Sequence, residues 1–264
     1  MNEQVEQMGT PPTASTLPEF GFWPGRHLER VFLITGASGG LGSAAAERLS
    51  REGAIIVGAD VLAAELPPEA EGMFRVLDVT SPEQWKKLVD ETLQKYGRID
   101  GALFCHGVQG PEFPVEDVPL DGWQRTLDIN LTGCFKGLQA VVPAMKSARY
   151  GRIAMLSSIA GREGNENMTA YSVAKAGLIT LGKSVAKETA KYGITINSIA
   201  PSMFQTPLLK DLSPERNAAL LSRVPMGRIG YPAEFAALAS WLLSVEASYM
   251  TGQTLDLSGG RSVS

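Results

Sequence analysis

The sequence predicts a single doubly wound α/β domain, a parallel sheet with helices on both faces. Three observations lead there. Short, continuous apolar runs recur between turn residues, as strands covered on both faces require. Helical stretches with one apolar face separate them. Strand and helix then alternate to the end with no internal repeat or linker, which calls for right-handed crossovers and places the functional crevice at the carboxyl ends of the strands.

Taken in order, residues 1–28 hold Pro11, Pro12, Pro18 and Pro24 among scattered polar residues without a period, and read as an irregular arm ahead of one folded unit over 29–264. Phe20, Phe22 and Trp23 are large enough to pin the end of that arm onto the body or onto another subunit. Val31-Phe32-Leu33-Ile34 is the first strand, with a glycine-rich turn directly after it and a helix to about residue 51. Strands follow over 54–60, 73–78 and 100–105, with an amphipathic helix over 82–96. A long helical stretch covers 121–149, a fifth strand 151–157, a helix 170–192 and a sixth strand 194–200. Segments 208–223 and 232–245 read as helices, and 254–257 closes as a strand.

Composition narrows the partners. With 264 residues, 44% of them hydrophobic, the chain can bury one sizeable core. A net charge of −4 and no cluster of Lys and Arg among aromatics argue against nucleic acid and for a small-molecule substrate. No apolar run reaches the roughly 18 residues of a spanning helix. The first residues carry Glu3 and Glu6 instead of a basic leader, so no membrane partner and a cytoplasmic location are expected. Cys105 and Cys134 lack C-x-x-C spacing and the only histidines are His27 and His106, which predicts free thiols and no metal.

Two motifs carry chemistry. In Thr35-Gly36-Ala37-Ser38-Gly39-Gly40-Leu41-Gly42, the glycines Gly36, Gly40 and Gly42 remove side chains where the backbone bends and where a pyrophosphate would meet the N–H groups of a helix start. Asp60 ends the second strand 18 residues after Gly42, where a carboxylate accepts from ribose hydroxyls and repels a 2′-phosphate, selecting NAD over NADP. The second motif is Tyr171-Ser172-Val173-Ala174-Lys175. Residues four apart on a helix are neighbours, so the Lys175 ammonium lies beside the Tyr171 phenol, favours its ionised form and makes proton exchange with a substrate oxygen feasible. Ser158 is placed to hydrogen-bond that same oxygen.

With Asn130 and the segment Asn197-Ser198-Ile199-Ala200-Pro201 added, these residues resemble the short-chain dehydrogenase/reductase family, over about 30–260. The order of the motifs, with Ser158 standing 13 residues before Tyr171, makes the resemblance specific. It implies a Rossmann-like dinucleotide-binding catalytic domain that moves hydride between NAD and a secondary alcohol or ketone. Tyr171 would be the acid/base and Ser158 the group that orients the carbonyl. Lys175 would bind the nicotinamide ribose, Asn130 support a relay water, Asp78 contact adenine and Thr206 the carboxamide. Ser38, Leu41, Val79 and Gly107 complete the implied cofactor contacts. A homotetramer is implied too, with the helices from Asp121 and Ala170 packing across a two-fold.

The chain departs from the family pattern twice: Cys105-His106-Gly107 replaces Asn-Ala-Gly, removing the asparagine's side-chain bonds to neighbouring strands, and Ser202 replaces a glycine. His106 reads as a packing or substrate-wall residue, not as a second acid/base. The pocket walls are expected from the loop after Gly107, from 159–168 and from 203–212. Val108, Phe113, Ile159, Met168, Met203, Phe204, Leu208 and Leu209 supply apolar surface, and Gln109, Glu163, Asn165 and Asn167 polar groups. A 3-hydroxyacyl compound or cyclic apolar alcohol is the favoured substrate. The alternatives are a sugar or polyol, a non-catalytic dinucleotide-binding protein, and a lyase or epimerase that uses NAD transiently.

Overall fold

Each apolar run becomes a strand because both faces of the sheet are covered. The computed structural model describes residues 21–206 and 219–262. Seven strands, β1 (Val31–Thr35), β2 (Ile55–Asp60), β3 (Gly72–Val76), β4 (Gly101–Phe104), β5 (Gly151–Leu156), β6 (Ile194–Pro201) and β7 (Thr254–Leu257), pair in parallel in the order β3-β2-β1-β4-β5-β6-β7. Helices α1 (Gly40–Arg51) and α7 (Pro232–Leu242) cover one face. Their Ala45, Leu49, Phe235 and Leu242 pack on Phe32, Ile34 and Ile56. On the other face lie α2 (Pro82–Tyr96), α4 (Gly133–Ala148) and α6 (Thr169–Thr189), whose Trp85, Leu138, Met145 and Leu178 pack on Leu33, Val57, Phe104 and Ile153. Each such large apolar side chain contributes about 1.5–3 kcal/mol by leaving water. No helix among the described residues is long and apolar enough to cross a membrane.

Strand order reverses at β1: β2 and β3 run off to one side, β4 to β7 to the other. The turns leaving β1 and β4 therefore diverge and open a crevice between them. This places the glycine turn beside Cys105-His106-Gly107.

The predicted helix over 121–149 is three pieces: α3 (Leu120–Leu127), a π turn (Asp128–Thr132) and α4. One extra residue in a helical turn leaves the apolar pattern nearly continuous, so the sequence carries no break there. A short helix, α5 (Ala160–Glu163), precedes α6. The predicted helix over 208–223, with Leu208 and Leu209, lies largely outside the described residues, as do Phe20 and most of the arm.

The end of the arm, from residue 21 on, docks on this chain's own α1. Phe22 lies 3.4 Å beneath the Arg51 guanidinium and 4.9 Å from that of Arg48, and the Trp23 backbone N–H donates to Glu52 Oε1 at 3.4 Å. Glu52, fully buried, accepts from Arg48 Nε at 2.6 Å and from the Ser240 hydroxyl, joining α1 to α7. His27 completes the cluster, its Nε2 3.0 Å from Ser240 Oγ.

Burial holds His27 near a pKa of about 4, and His106, under β1 and β4, near about 3. Both lie below the ordinary value of 6.5, so the unfolded chain takes up the proton first as pH falls. Stability is therefore fully present above pH 6.5 and declines below it, by about 2 kcal/mol per histidine between pH 7 and 5. Urea midpoints at the two pH values check this; His27→Gln should flatten the dependence, and an equally steep loss in that variant would contradict it.

Candidate active site

The glycine turn is shaped by what surrounds it. Gly36 has φ +68°, and a Cβ there would lie 2.7 Å from the Cys105 carbonyl carbon and the His106 nitrogen. A Cβ on Gly42 would meet the Gly36 oxygen at 2.1 Å. The turn is thus pressed between β4 and α1, and only glycine fits. At the start of α1, Gly39 occupies the cap position without a side-chain cap and the first turn holds no acidic residue, leaving N–H donors for an anion.

Beside this turn lies a cavity of about 850 Å³ lined by Gly36, Ser38, Asp60, Asp78, Val79 and Gly107 among others. Asp60 accepts from the Ser38 N–H at 3.1 Å and hydroxyl at 2.5 Å, which aims the carboxylate across the cavity edge. Asp78 accepts from the Thr80 N–H at 2.9 Å and hydroxyl at 2.7 Å, and these bonds hold its carboxyl below the usual range. A second cavity of about 330 Å³ shares the wall 105–108 and is lined by Leu41, Ser158, Tyr171, Lys175 and Thr206. The pair therefore forms one cleft that runs from Asp60 past the glycine turn to Tyr171, long enough and open enough for a dinucleotide.

Lys175 is 2% exposed, donates from Nζ to the Leu156 carbonyl at 2.7 Å and stands 5.6 Å from the Tyr171 ring centroid. Two contacts set the helix that carries them. The Ser157 hydroxyl donates to the Lys175 carbonyl at 2.8 Å, and a Cβ on Gly161 would come within 2.5 Å of that carbonyl carbon, so α5 lies directly on α6. Ser158 Oγ accepts from the Ala160 N–H at 3.1 Å, which leaves its own hydrogen to donate into the cavity.

Asn130 is fully buried in the π turn and lines neither cavity. Its amide nitrogen donates to Thr126 O at 2.9 Å and Val108 O at 2.8 Å, while its oxygen accepts from the Val108 N–H at 3.2 Å. The π turn frees the Thr126 carbonyl that the amide then satisfies. Both amide N–H groups are spent on backbone, so the side chain fixes the 107–108 wall. Gly107 is required beside it, since a Cβ would sit 2.4 Å from Asn130 Oδ1 and 3.3 Å from Lys175 Nζ. Gly40 and Gly42 form the start of α1 behind the first cavity.

His106 restores a tie that the departure at Cys105 removes. Its Nδ1 lies 2.6 Å from Thr35 Oγ1 on β1 and its Nε2 3.3 Å from Cys134 Sγ on α4. Burial, reinforced by Lys175, keeps the ring neutral, and with both nitrogens engaged it serves packing. Cys105 and Cys134 are unbridged; burial pushes the Cys105 thiol up, and that of Cys134 up to about 12. Sequence reading missed Arg261, which lines the second cavity and belongs to no motif.

Comparison with known proteins agrees with this geometry. A family model described as enoyl-(acyl carrier protein) reductase matches residues 36–262. The 2-dehydro-3-deoxy-L-rhamnonate dehydrogenase (NAD(+)) of a Sphingomonas species is 37% identical over 241 residues, covering 90% of this chain and 97% of that protein. The 3-oxoacyl-(acyl-carrier-protein) reductase FabG of Thermotoga maritima is 38% identical over 239 residues, 88% of this chain and 97% of its own. The crystal structure of levodione reductase matches with a TM-score of 0.83 at 34% identity, over 89% of this chain and 98% of that one. Matched almost end to end by these dehydrogenases and reductases, and bringing the motif residues together at one crevice, the chain belongs to the short-chain dehydrogenase/reductase family and is an oxidoreductase acting on CH–OH groups.

Proposed function

We propose that the chain uses NAD to interconvert a secondary alcohol and its ketone, with Tyr171 as acid/base, Ser158 orienting the substrate oxygen and Lys175 holding the phenol and the cofactor ribose. The observation that carries this reading is the opening of Ser158, Tyr171 and Lys175 onto the cavity that continues the glycine-turn cleft. Bound NAD supplies the hydride acceptor at the carbinol carbon. The chain's own residues handle the proton: the Ser158 hydroxyl donates to the substrate oxygen and Tyr171 takes the hydroxyl proton, with the Lys175 ammonium beside its ring. Asn130 acts as a positioning residue for the 107–108 wall.

NAD is favoured by Asp60, since Val61 and Leu62 after it offer no cation for a 2′-phosphate. Asp78 and Val79 would flank the adenine and Thr206 the carboxamide. We further read the chain as a cytoplasmic homotetramer. Phe135 on α4 and Val173 on α6 are each 44% exposed, on the two helices expected at a two-fold.

For the substrate, Val108, Ile159, Met168, Met203 and Phe204 favour a medium-sized 3-hydroxyacyl compound or cyclic alcohol, in keeping with the reductases named above. Gln109 and Asn165 on the same wall favour a second reading, a sugar or polyol. Comparing kcat/KM for a 3-hydroxyacyl thioester or cyclic alcohol with that for a sugar alcohol of similar size separates them. A tenfold preference for the first is expected, about 1.4 kcal/mol in transition-state binding; a tenfold preference for the sugar would reverse the assignment.

A further inference from the structure

The substrate half of the crevice carries a cation that the proton chemistry does not use. Arg261 lines the cavity together with Ser158, Tyr171 and Asn165. It is presented by a built turn after β7. Gly259 and Gly260 have φ +65° and +89°, the Ser262 N–H donates to Ser258 Oγ at 3.1 Å, and the Met226 N–H donates to Gly259 O at 3.1 Å. Ser202, where the family pattern has glycine, donates its hydroxyl to the Ser258 carbonyl at 3.1 Å and so pins this turn to the end of β6.

The guanidinium is oriented but not saturated. Its Nη2 donates to Asn165 Oδ1 at 3.3 Å and to Glu163 Oε2 at 3.4 Å. Asn165 is itself held, its N–H donating to Ser172 Oγ at 3.0 Å beside Tyr171. Nε and Nη1 of Arg261 have no hydrogen-bond partner among the described residues, although the side chain is only 6% exposed. The described cavity wall holds two cations, Arg261 and Lys175, and no aspartate or glutamate. Lys175 is already committed to the Leu156 carbonyl and to Tyr171. Nη1 and Nε together carry three hydrogens that can donate to a carboxylate, and such a cavity wall, with two cations and no carboxylate, favours an anion.

We propose that Arg261 is a specificity-determining residue that binds the carboxylate of a hydroxy acid or oxo acid, while Ser158 and Tyr171 engage its alcohol or ketone oxygen. This rests on the reading of the cavity as the substrate site of an alcohol oxidoreductase, and it ranks a free 3-hydroxy acid above the thioester and the uncharged cyclic alcohol, which stay ahead of a sugar alcohol. Glu163 and Asn165 hold the guanidinium through Nη2 and leave Nε and Nη1 to the substrate.

The test uses the full chain with NAD, a six-carbon 3-hydroxy acid and its methyl ester, in wild type, Arg261→Gln, Arg261→Lys and Glu163→Gln. The acid-to-ester ratio of kcat/KM should fall at least thirtyfold in Arg261→Gln, through KM more than kcat, and at least fivefold in Arg261→Lys, which keeps charge but loses the Nε and Nη1 donors held in place by the Nη2 contacts. Glu163→Gln should raise the ratio by removing the competing carboxylate. If wild type turns over both compounds and the ratio stays within threefold in both arginine variants, the carboxylate assignment is overturned and the oxidoreductase reading stands. A fall in Glu163→Gln as deep as in Arg261→Gln would also overturn it, by showing that the pair only holds the loop. Oxidation of neither compound, nor of any other secondary alcohol, would remove the underlying reading and this one with it.

Discussion

Tyr171→Phe is expected to lower kcat by about a thousandfold, on the order of 4 kcal/mol in transition-state stabilisation, while leaving the Kd for NAD within about threefold of wild type. The ring stays, so packing against Lys175 is kept; only the proton carrier is removed. Lys175→Ala should instead weaken both steps, because the ammonium lies 5.6 Å from the Tyr171 ring centroid and would touch the cofactor ribose. Its bond to the Leu156 carbonyl at 2.7 Å also ends, leaving a buried acceptor without a partner. Single-turnover rates with calorimetric NAD binding separate the two effects. A Tyr171→Phe protein with more than a tenth of the wild-type rate would remove the acid/base assignment.

Asp60→Ala is expected to reverse the cofactor preference. The carboxylate is fixed by two bonds from Ser38, at 3.1 and 2.5 Å, and faces the cavity in which a 2′-phosphate would sit. At about 4 Å and an effective dielectric constant near 20, one like-charge pair costs about 4 kcal/mol, enough to exclude NADP. Removing it should cut kcat/KM for NAD about tenfold through the lost ribose bonds and raise that for NADP by at least as much. The ratio of the two specificity constants would then move about a hundredfold. Wild-type kcat/KM higher with NADP would show that Asp60 does not face the ribose.

What was legible in the sequence had local causes. Helix α2 is bounded as expected because Ser81 accepts from the Gln84 N–H at 3.2 Å at its start and Gly97 adopts φ +74° at its end, both residue types that mark helix termini. The buried strands and the i,i+4 spacing of Tyr171 and Lys175 likewise follow from short-range pattern. Asn130 was legible as a residue but not as a conformation: nothing in Asp128-Ile129-Asn130-Leu131-Thr132 announces a π turn, which exists because the amide is satisfied by Val108 across the crevice. Arg261 and the cluster of His27, Glu52 and Ser240 were hidden for a different reason. Their partners lie far along the chain, 98 residues for Arg261 to Glu163 and 188 for Ser240 to Glu52, and only the completed sheet brings them together. The loss of the asparagine at Cys105 looked like a missing tie, and the sequence held no hint that His106 reaches Thr35 instead.

The most direct measurement is the initial rate of NADH appearance at 340 nm when the full chain is mixed with NAD and a panel of secondary alcohols, 3-hydroxy acids among them, with Tyr171→Phe run in parallel. Expected is steady NADH formation by wild type, at a kcat/KM at least tenfold above that with NADP, and about a thousandfold less in the variant. NAD binding without NADH formation from any secondary alcohol, or equal rates in wild type and Tyr171→Phe, would contradict an NAD-dependent dehydrogenase working through Tyr171.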